Sequence, residues 1–203
     1  AGVLSLPELA RRPRAQLPAE GERQGMVGKA MPSAGPRNRR RSVLRRRKAG
    51  LTDYRRRLRL LRSQQPRAVV RVSNTRTSCQ LVTWAAEGDK VALNVTGNDL
   101  VKKFSWPDNM SKKSVPASYL VGYALGKAAI AAGHEDAVLD IGLAASTPGG
   151  RVFAALRGMV EAGLNVPHSE EILPDDDRIN GVHIDDNVAG AIETTKASIE
   201  GAY

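Results

Sequence analysis

Arginine is the residue type whose number and spacing carry chemistry in this sequence. From Arg37 to Arg67 there are 14 Lys and Arg side chains against one acid, Asp53. A guanidinium keeps its charge at physiological pH and presents a planar fork of donors that matches phosphate oxygens. A one-sign run of this density repels itself and cannot be buried alone, so its chemistry is charge-assisted hydrogen bonding to a polyanion. Two spacings occur. Arg37, Arg39, Arg40, Arg41, Arg45, Arg46, Arg47 and Lys48 form a run without periodicity. At about 100° per residue, Arg55, Arg59 and Arg62 fall within about 60° of one another on a helix, with Tyr54, Leu58 and Leu61 on a different side. A solvated helix face of mixed sign is the bland alternative. Here every charge after Asp53 in that stretch is positive, and repulsion would destabilise the isolated helix. The one-sign pattern points to nucleic acid as the partner.

Other chemistries are poorly supplied. The loop Gly142 to Gly150 lacks phosphate-loop spacing, and Gly126-Lys127 is followed by Ala128 rather than Ser or Thr. That loop reads as a connection feeding a helix, where Arg151 and backbone amides remain able to meet a phosphate. His134, His168 and His183 are the only histidines, Cys79 sits in a strand-like stretch, and no Gly-x-Ser-x-Gly elbow occurs. A hydrolase would need Asp140 and His168 to converge on a nucleophile. Asp175, Asp176, Asp177, His183, Asp185 and Asp186 lack calcium-loop spacing and read as a solvated surface and helix start. Aromatic residues make up 4% of the chain, too few for a base-stacking single-strand binder. No RNP pattern, KH loop, zinc finger or basic zipper is present. Phosphate and shape recognition of a folded RNA fits best.

The elements that must hold these residues follow from pattern. Residues 1–36 mix Pro, Gly, Ala and Arg without apolar periodicity and read as an N-terminal extension, disordered when alone. Residues 37–67 form the basic arm and a helix spanning Thr52 to Ser63, with Thr52 and Asp53 as the start signal and Pro66 beyond its end. Residues 68–203 form the body. Ala68 to Ser73, Ser78 to Ala85 and Val91 to Val95 read as strands, joined by turns at Asn74 and at Glu87-Gly88-Asp89 into an antiparallel meander. Val115 to Ala132 reads as a helix with Pro116 near its start and Gly133 at its end; Gly122 and Gly126 suggest close packing on a sheet. Ala137 to Ile141 and Arg151 to Ala162 make a strand–loop–helix unit, which implies a parallel strand pair. A final helix runs from Ile184 to about Ile199. The expected fold is α/β (α+β), a mixed sheet packed with helices behind an extended polybasic N-terminal arm.

Charge divides the same way. Residues 1–67 hold 19 basic and 4 acidic side chains, a net +15, and residues 68–203 hold 12 and 17, a net −5; together they give the +10 of the whole chain. One cysteine rules out an intramolecular disulfide framework and fits a reducing compartment. The longest apolar stretch, Tyr119 to Ile130, is interrupted and too short for a membrane span, and residues 1–25 contain no apolar signal core.

Five runs in series resemble one family. They are Arg45-Arg-Arg-Lys-Ala-Gly-Leu-Thr-Asp-Tyr-Arg-Arg-Arg-Leu58, Pro66-Arg-Ala-Val-Val-Arg-Val-Ser-Asn74, Ala137-Val-Leu-Asp-Ile-Gly142, Arg151-Val-Phe-Ala-Ala-Leu-Arg-Gly158 and Gly163-Leu-Asn-Val-Pro-His-Ser169. Their order is that of the archaeal and eukaryotic branch of the large-subunit ribosomal protein eighteen family, which binds 5S rRNA, and the likeness covers Gly35 to Ile184. The resemblance implies a structural constituent of the large subunit, cytoplasmic and within the ribosome. It would anchor 5S rRNA to 23S rRNA in the central protuberance, near ribosomal protein five of the large subunit. It implies no catalysis, no membrane, no small-molecule substrate and no cofactor, any structural magnesium belonging to the rRNA. The family's RNA-contacting arm falls on Arg39, Arg40, Arg41, Arg45, Arg46 and Arg47. Its helix start falls on Thr52, Tyr54, Arg55 and Arg56, with Arg59 on the stripe, and its first strand on Arg71, Ser73 and Asn74. Its other RNA-facing element falls on Thr147, Gly149, Gly150 and Arg151. The rival from composition is a non-ribosomal architectural nucleic-acid binder, against which the arm's lack of an apolar wedge counts.

Overall fold

The computed structural model describes residues 42–185 and 187–203. The extension of residues 1–36 and the arm positions Arg39, Arg40 and Arg41 lie outside them. Two short helices open the described chain, α1 (Arg45–Lys48) and α2 (Tyr54–Arg62). Four strands follow in part: β1 (Arg67–Val72), β2 (Thr77–Thr83) and β3 (Lys90–Thr96), then α3 (Gly97–Lys103), α4 (Val115–Ala131) and β4 (Val138–Asp140). The chain ends with α5 (Arg151–Glu161), a 3₁₀ turn at Glu170–Ile172, α6 (Asp176–Asn180) and α7 (Asn187–Ala202).

The sheet order is β3-β2-β1-β4, with β1 antiparallel to β2, β2 antiparallel to β3, and β4 parallel to β1. The meander and the parallel pair are those the turn residues and the strand–loop–helix unit predict. Alternation sorts the sheet into two faces. Ala68, Val70, Cys79, Leu81 and Val95 point into the core. Arg67, Val69 and Arg71 point the other way, with Asp140 beside Val69 in the register and therefore on the same face. Cys79 is fully buried and burial pushes its thiol well up, so it packs as a small apolar side chain.

α4 is the central helix, with 14 of its 17 residues buried. Gly122 and Gly126 do allow a close approach, but to α5 rather than to the sheet. A Cβ on Gly122 would lie 2.0 Å from the Ala155 carbonyl oxygen, and one on Gly126 would lie 2.6 Å from the Ala162 Cβ. Gly158 on α5 reciprocates, its Cβ position lying 2.2 Å from the Tyr119 carbonyl oxygen. Two glycines four apart on α4 and one facing them on α5 let two backbones touch, and spacing alone cannot tell a sheet from a helix as the partner. α7 is pinned to α4 by Tyr123, whose hydroxyl donates to Glu200 at 2.6 Å, and by the Lys196 ammonium 4.8 Å from the Tyr123 ring centre.

α3, α6 and the α1 turn differ from the pattern-based reading. α3 occupies part of a stretch expected to be irregular; its start is a capping box in which Asp99 accepts from the Thr96 amide at 2.8 Å, a Thr-x-x-Asp signal visible in the sequence. The basic run expected to be extended makes one helical turn at Arg45–Lys48. Gly50 closes that turn at φ +66°, with its amide donating to Arg47 O at 3.1 Å and the Leu51 amide to Arg46 O at 2.8 Å. A residue at positive φ after the last turn satisfies two orphan carbonyls, which glycine does without a Cβ clash.

Candidate nucleic-acid interface

α2 begins where Asp53 accepts hydrogen bonds from the Arg55 and Arg56 amides at 2.9 and 3.2 Å. These bonds, led by the one from Arg56, hold the Asp53 carboxyl below its usual value, so the cap stays charged at neutral pH. The helix's burial differs from the seam its leucines suggest. Tyr54, Arg57, Leu60 and Leu61 are half-buried, whereas Leu58 is 55% exposed. The inward face thus includes an arginine, because its carboxylate partner comes from elsewhere in the chain.

That partner is Asp89 in the β2–β3 turn. Arg57 Nη2 lies 2.8 Å from Asp89 Oδ1, and Arg67 Nη2 lies 2.7 Å from Asp89 Oδ2. Arg67 then reaches across the sheet to Asp140 Oδ2 at 2.8 Å, and Arg71 Nη2 lies 3.1 Å from Asp140 Oδ1. The Gly142 amide donates to Asp140 Oδ1 at 2.8 Å, and Arg56 Nη1 donates to the Gly142 carbonyl at 2.6 Å. Two carboxylates therefore join three arginines in a chain from α2 through β1 to β4. Burial alone would raise the Asp140 carboxyl, but the Arg71 charge, the Gly142 amide and the arginine hydrogen bonds outweigh it and leave it below its usual value. Asp89 is held low chiefly by the Arg57 hydrogen bond, against a smaller effect of burial. Arg67 is 3% exposed, and the two carboxylates offset the cost of burying its charge.

Between α2 and the outward sheet face lies an open groove of about 870 Å³. Five arginines (Arg46, Arg56, Arg57, Arg67, Arg71) and three aspartates (Asp53, Asp89, Asp140) line it, with Tyr54, Val69 and Gln80 on its walls. Outside the groove, Arg55, Arg59 and Arg62 form the exposed stripe that the spacing predicts. Among the described residues, none of these three makes an ion pair, nor do Arg45, Arg46 and Arg47 of α1. Arg46 Nε donates to Thr52 Oγ1 at 2.9 Å, which ties the α1 turn to the start of α2.

The remaining candidates divide by what their polar atoms already do. Ser73 Oγ is committed to the β1–β2 turn, accepting from the Arg76 amide at 3.0 Å and donating to Arg76 O at 2.8 Å, while Asn74 is exposed at that turn's tip. Arg71 makes three hydrogen bonds inside the protein, yet 47% of its side chain stays exposed. At the second element, Gly150 donates to Thr147 O at 3.1 Å, Gly149 sits at φ +67°, and Arg151 starts α5 exposed to solvent. The structure thus joins the arm turn, α2 and Arg71 around one groove and places Thr147 to Arg151 at the start of α5. Asp140 is taken up by Arg67, Arg71 and the Gly142 amide, and His168 Nδ1 donates to Val166 O at 2.7 Å, so the two side chains do not hydrogen-bond to each other. Asp176 of the acidic stretch pairs with Arg157. Among the described residues no three His, Cys, Asp or Glu side chains converge as a metal site, and no helix is long and apolar enough to cross a membrane.

Sequence reasoning missed the structural duty of Arg57 and Arg67. Their partners lie 32 and 73 residues away, and nothing local marks the pairing. It also missed Lys113 and Arg178, which the fold brings beside Arg151.

The model of the family described as ribosomal large subunit proteins 60S L5 and 50S L18 matches residues 38–136 and 131–169, which include α1, α2, the whole sheet and α5. The chain belongs to this family. It is 47% identical over 142 residues to the large ribosomal subunit protein uL18 of Methanospirillum hungatei, covering 70% of this chain and 79% of that one. It is 48% identical to the uL18 of Korarchaeum cryptofilum over 140 residues, 69% of this chain and 70% of that one. The uL18 of Haloferax volcanii is 48% identical over 141 residues, 70% of this chain and 75% of its own length. Family membership makes this a structural ribosomal protein of the large subunit, a class defined by assembly and not by turnover of a substrate.

Proposed function

We propose that this chain binds 5S rRNA and anchors it to 23S rRNA in the central protuberance of the large subunit, with ribosomal protein five of the large subunit as a neighbour. One observation supports this above the others. On the sheet side of α2, Arg57 is matched by Asp89 and Arg56 by the Gly142 carbonyl, while Arg55, Arg59 and Arg62 face outward with no acid beside them among the described residues. Matched charges fix the helix; unmatched charges await phosphates. Arg45, Arg46, Arg47 and Arg71 extend that surface, with Arg39, Arg40 and Arg41 preceding it in sequence, and Tyr54, Thr52 and Asn74 supply polar and stacking contacts at its rim. Arg56, tied to Gly142, acts first as a strut. The protein's work is placement of charge, so the reading assigns it no reaction.

Recovery of bound RNA tests the proposal. The tagged full chain, expressed in an archaeal host and purified at low salt, should carry 5S rRNA together with 23S rRNA. Displacement of 5S rRNA by an equal concentration of generic duplex DNA would overturn it in favour of an architectural binder.

A further inference from the structure

β3 is an edge of the sheet, paired with β2 on one side only. Among the described residues no loop or helix backbone bonds to Lys90–Val95 on the other side. In an antiparallel ladder every second residue turns its N–H and C=O away from its partner, so β3 presents unpaired donors and acceptors in alternation. It is also the least covered strand of the meander: Val95 alone of its seven residues is buried, against three of six in β1 and four of seven in β2. Val91 is 53% exposed, and Trp84, which follows β2 at the same end of the sheet, is 62% exposed. Exposed cations mark both ends of the strand. Lys90 stands at its start, and beyond Thr96 the Arg76 Cβ lies 3.5 Å from the Cβ position of Gly97. Neither makes an ion pair among the described residues. Of the acids close in sequence, Asp89 is held by Arg57 and Arg67 and Asp99 caps α3 through Thr96, which leaves Glu87 in the turn.

We infer that the open edge of β3 is a docking site for another protein, taken by an extended segment that alternates apolar and acidic side chains and adds to the sheet as a further strand. Main-chain pairing holds such a segment, its apolar residues cover Trp84 and Val91, and its acids meet Lys90 and Arg76. A nucleic-acid strand matches the edge less well. Phosphate oxygens accept and do not donate, so they would meet the edge amides but face the edge carbonyls as like-signed groups. A second copy of this chain also matches less well, because antiparallel pairing of two β3 strands sets Lys90 at the Arg76 end and parallel pairing sets Lys90 against Lys90. The inference stands apart from the RNA-binding reading, which uses none of Arg76, Trp84, Lys90 and Val91.

The test titrates the full chain, freed of nucleic acid, with a decapeptide alternating Val and Glu, one with Pro in place of Val, and one with Lys in place of Glu. Tryptophan fluorescence and amide hydrogen exchange are read together. The Val/Glu peptide should shift Trp84 emission to the blue and slow exchange in β3 while leaving α2 amides unchanged. The Pro/Glu peptide carries the same charge but lacks every second donor, and should bind about tenfold more weakly. R76E/K90E should weaken the Val/Glu peptide by about tenfold and turn the preference toward the Val/Lys peptide. W84A, followed by exchange alone, should weaken it as well. Equal binding of the Pro/Glu and Val/Glu peptides overturns strand addition, since charge alone would explain both. Absence of β3 protection by the Val/Glu peptide overturns the site, as does binding that R76E/K90E and W84A leave unchanged. Where a variant's urea midpoint falls, R76Q/K90Q takes its place and is held to the same outcomes. Displacement of the Val/Glu peptide by an equal concentration of a uridine decanucleotide overturns the inference in favour of RNA. Protection of β3 that grows with protein concentration and no peptide present overturns it in favour of a second copy.

Discussion

On its core side the sheet is covered by α4, whose contact with α5 is so close that Gly122 and Gly158 leave no room for a methyl group. On its other side α2 stands off across a groove and is held by Asp89 on Arg57 and the Gly142 carbonyl on Arg56, with Asp140 fixing Arg67 and Arg71 on the sheet beneath. The first contact is steric at its glycines, where no titrating group takes part. The second is ionic and leaves the groove open. The difference shows how a helix dense in arginine is kept on a folded body: a minority of its charges is spent on internal acids, and the remainder is aimed outward at a fixed spacing.

Breaking the ionic side at its most buried point should have the largest effect. Asp140→Ala leaves Arg67 buried with one carboxylate instead of two, and removing one partner of a buried pair costs about 3–5 kcal/mol. Urea denaturation at pH 7 should show that loss. On the steric side, Gly122→Ala forces a methyl group into the Ala155 backbone, at about 1–3 kcal/mol by the usual scale of overpacking. Its urea midpoint should fall equally at pH 7 and pH 3.5, because no titrating group is involved.

Acid sharpens the contrast. Asp89 and Asp140 both titrate below their ordinary value of 3.8 in the folded protein, so the folded state binds fewer protons than the unfolded one. The stability they contribute is complete well above pH 4 and is lost as pH falls through their folded values. Hydrogen exchange should show α2 amides losing protection between pH 5 and pH 3 while α4 amides keep theirs, an order that would reverse if α2 were held by apolar burial. The smallest stability effect belongs to Arg57→Gln. Its pair with Asp89 is about 30% exposed on both sides, so screening limits the loss to about 0.5–1 kcal/mol, readable as a shift in urea midpoint.

Much of this arrangement is legible in the chain. Val, Leu and Thr alternation with turns at Asn74 and Gly88 yields the three-stranded meander, and Gly133 and Gly163 mark where α4 and α5 stop. The arginine stripe is readable because its three members share a helix and one periodicity. What escapes is anything set by distant partners. Leu58 looks like a core residue by spacing but is exposed, because Arg57 takes the inward position once Asp89 arrives from the β2–β3 turn. Gly122 and Gly126 announce a close contact but not that α5 makes it. Lys113, Arg151 and Arg178 are unremarkable as isolated basic residues, and only the meeting of α4, α5 and α6 makes them a surface. α3 was readable from Thr96 and Asp99, but seven residues give too short an apolar period to stand out.

The central claim is that charge on α2 is divided between structure and binding. Measuring 5S rRNA affinity across a salt series for the unaltered chain and for R55Q/R59Q/R62Q, with the urea midpoint of each, tests it most directly. The account predicts a salt slope lower by about 2 to 3 with the stability of the variant within about 0.5 kcal/mol of the original. An unchanged slope, or a slope that falls only together with a collapse in stability, would contradict it.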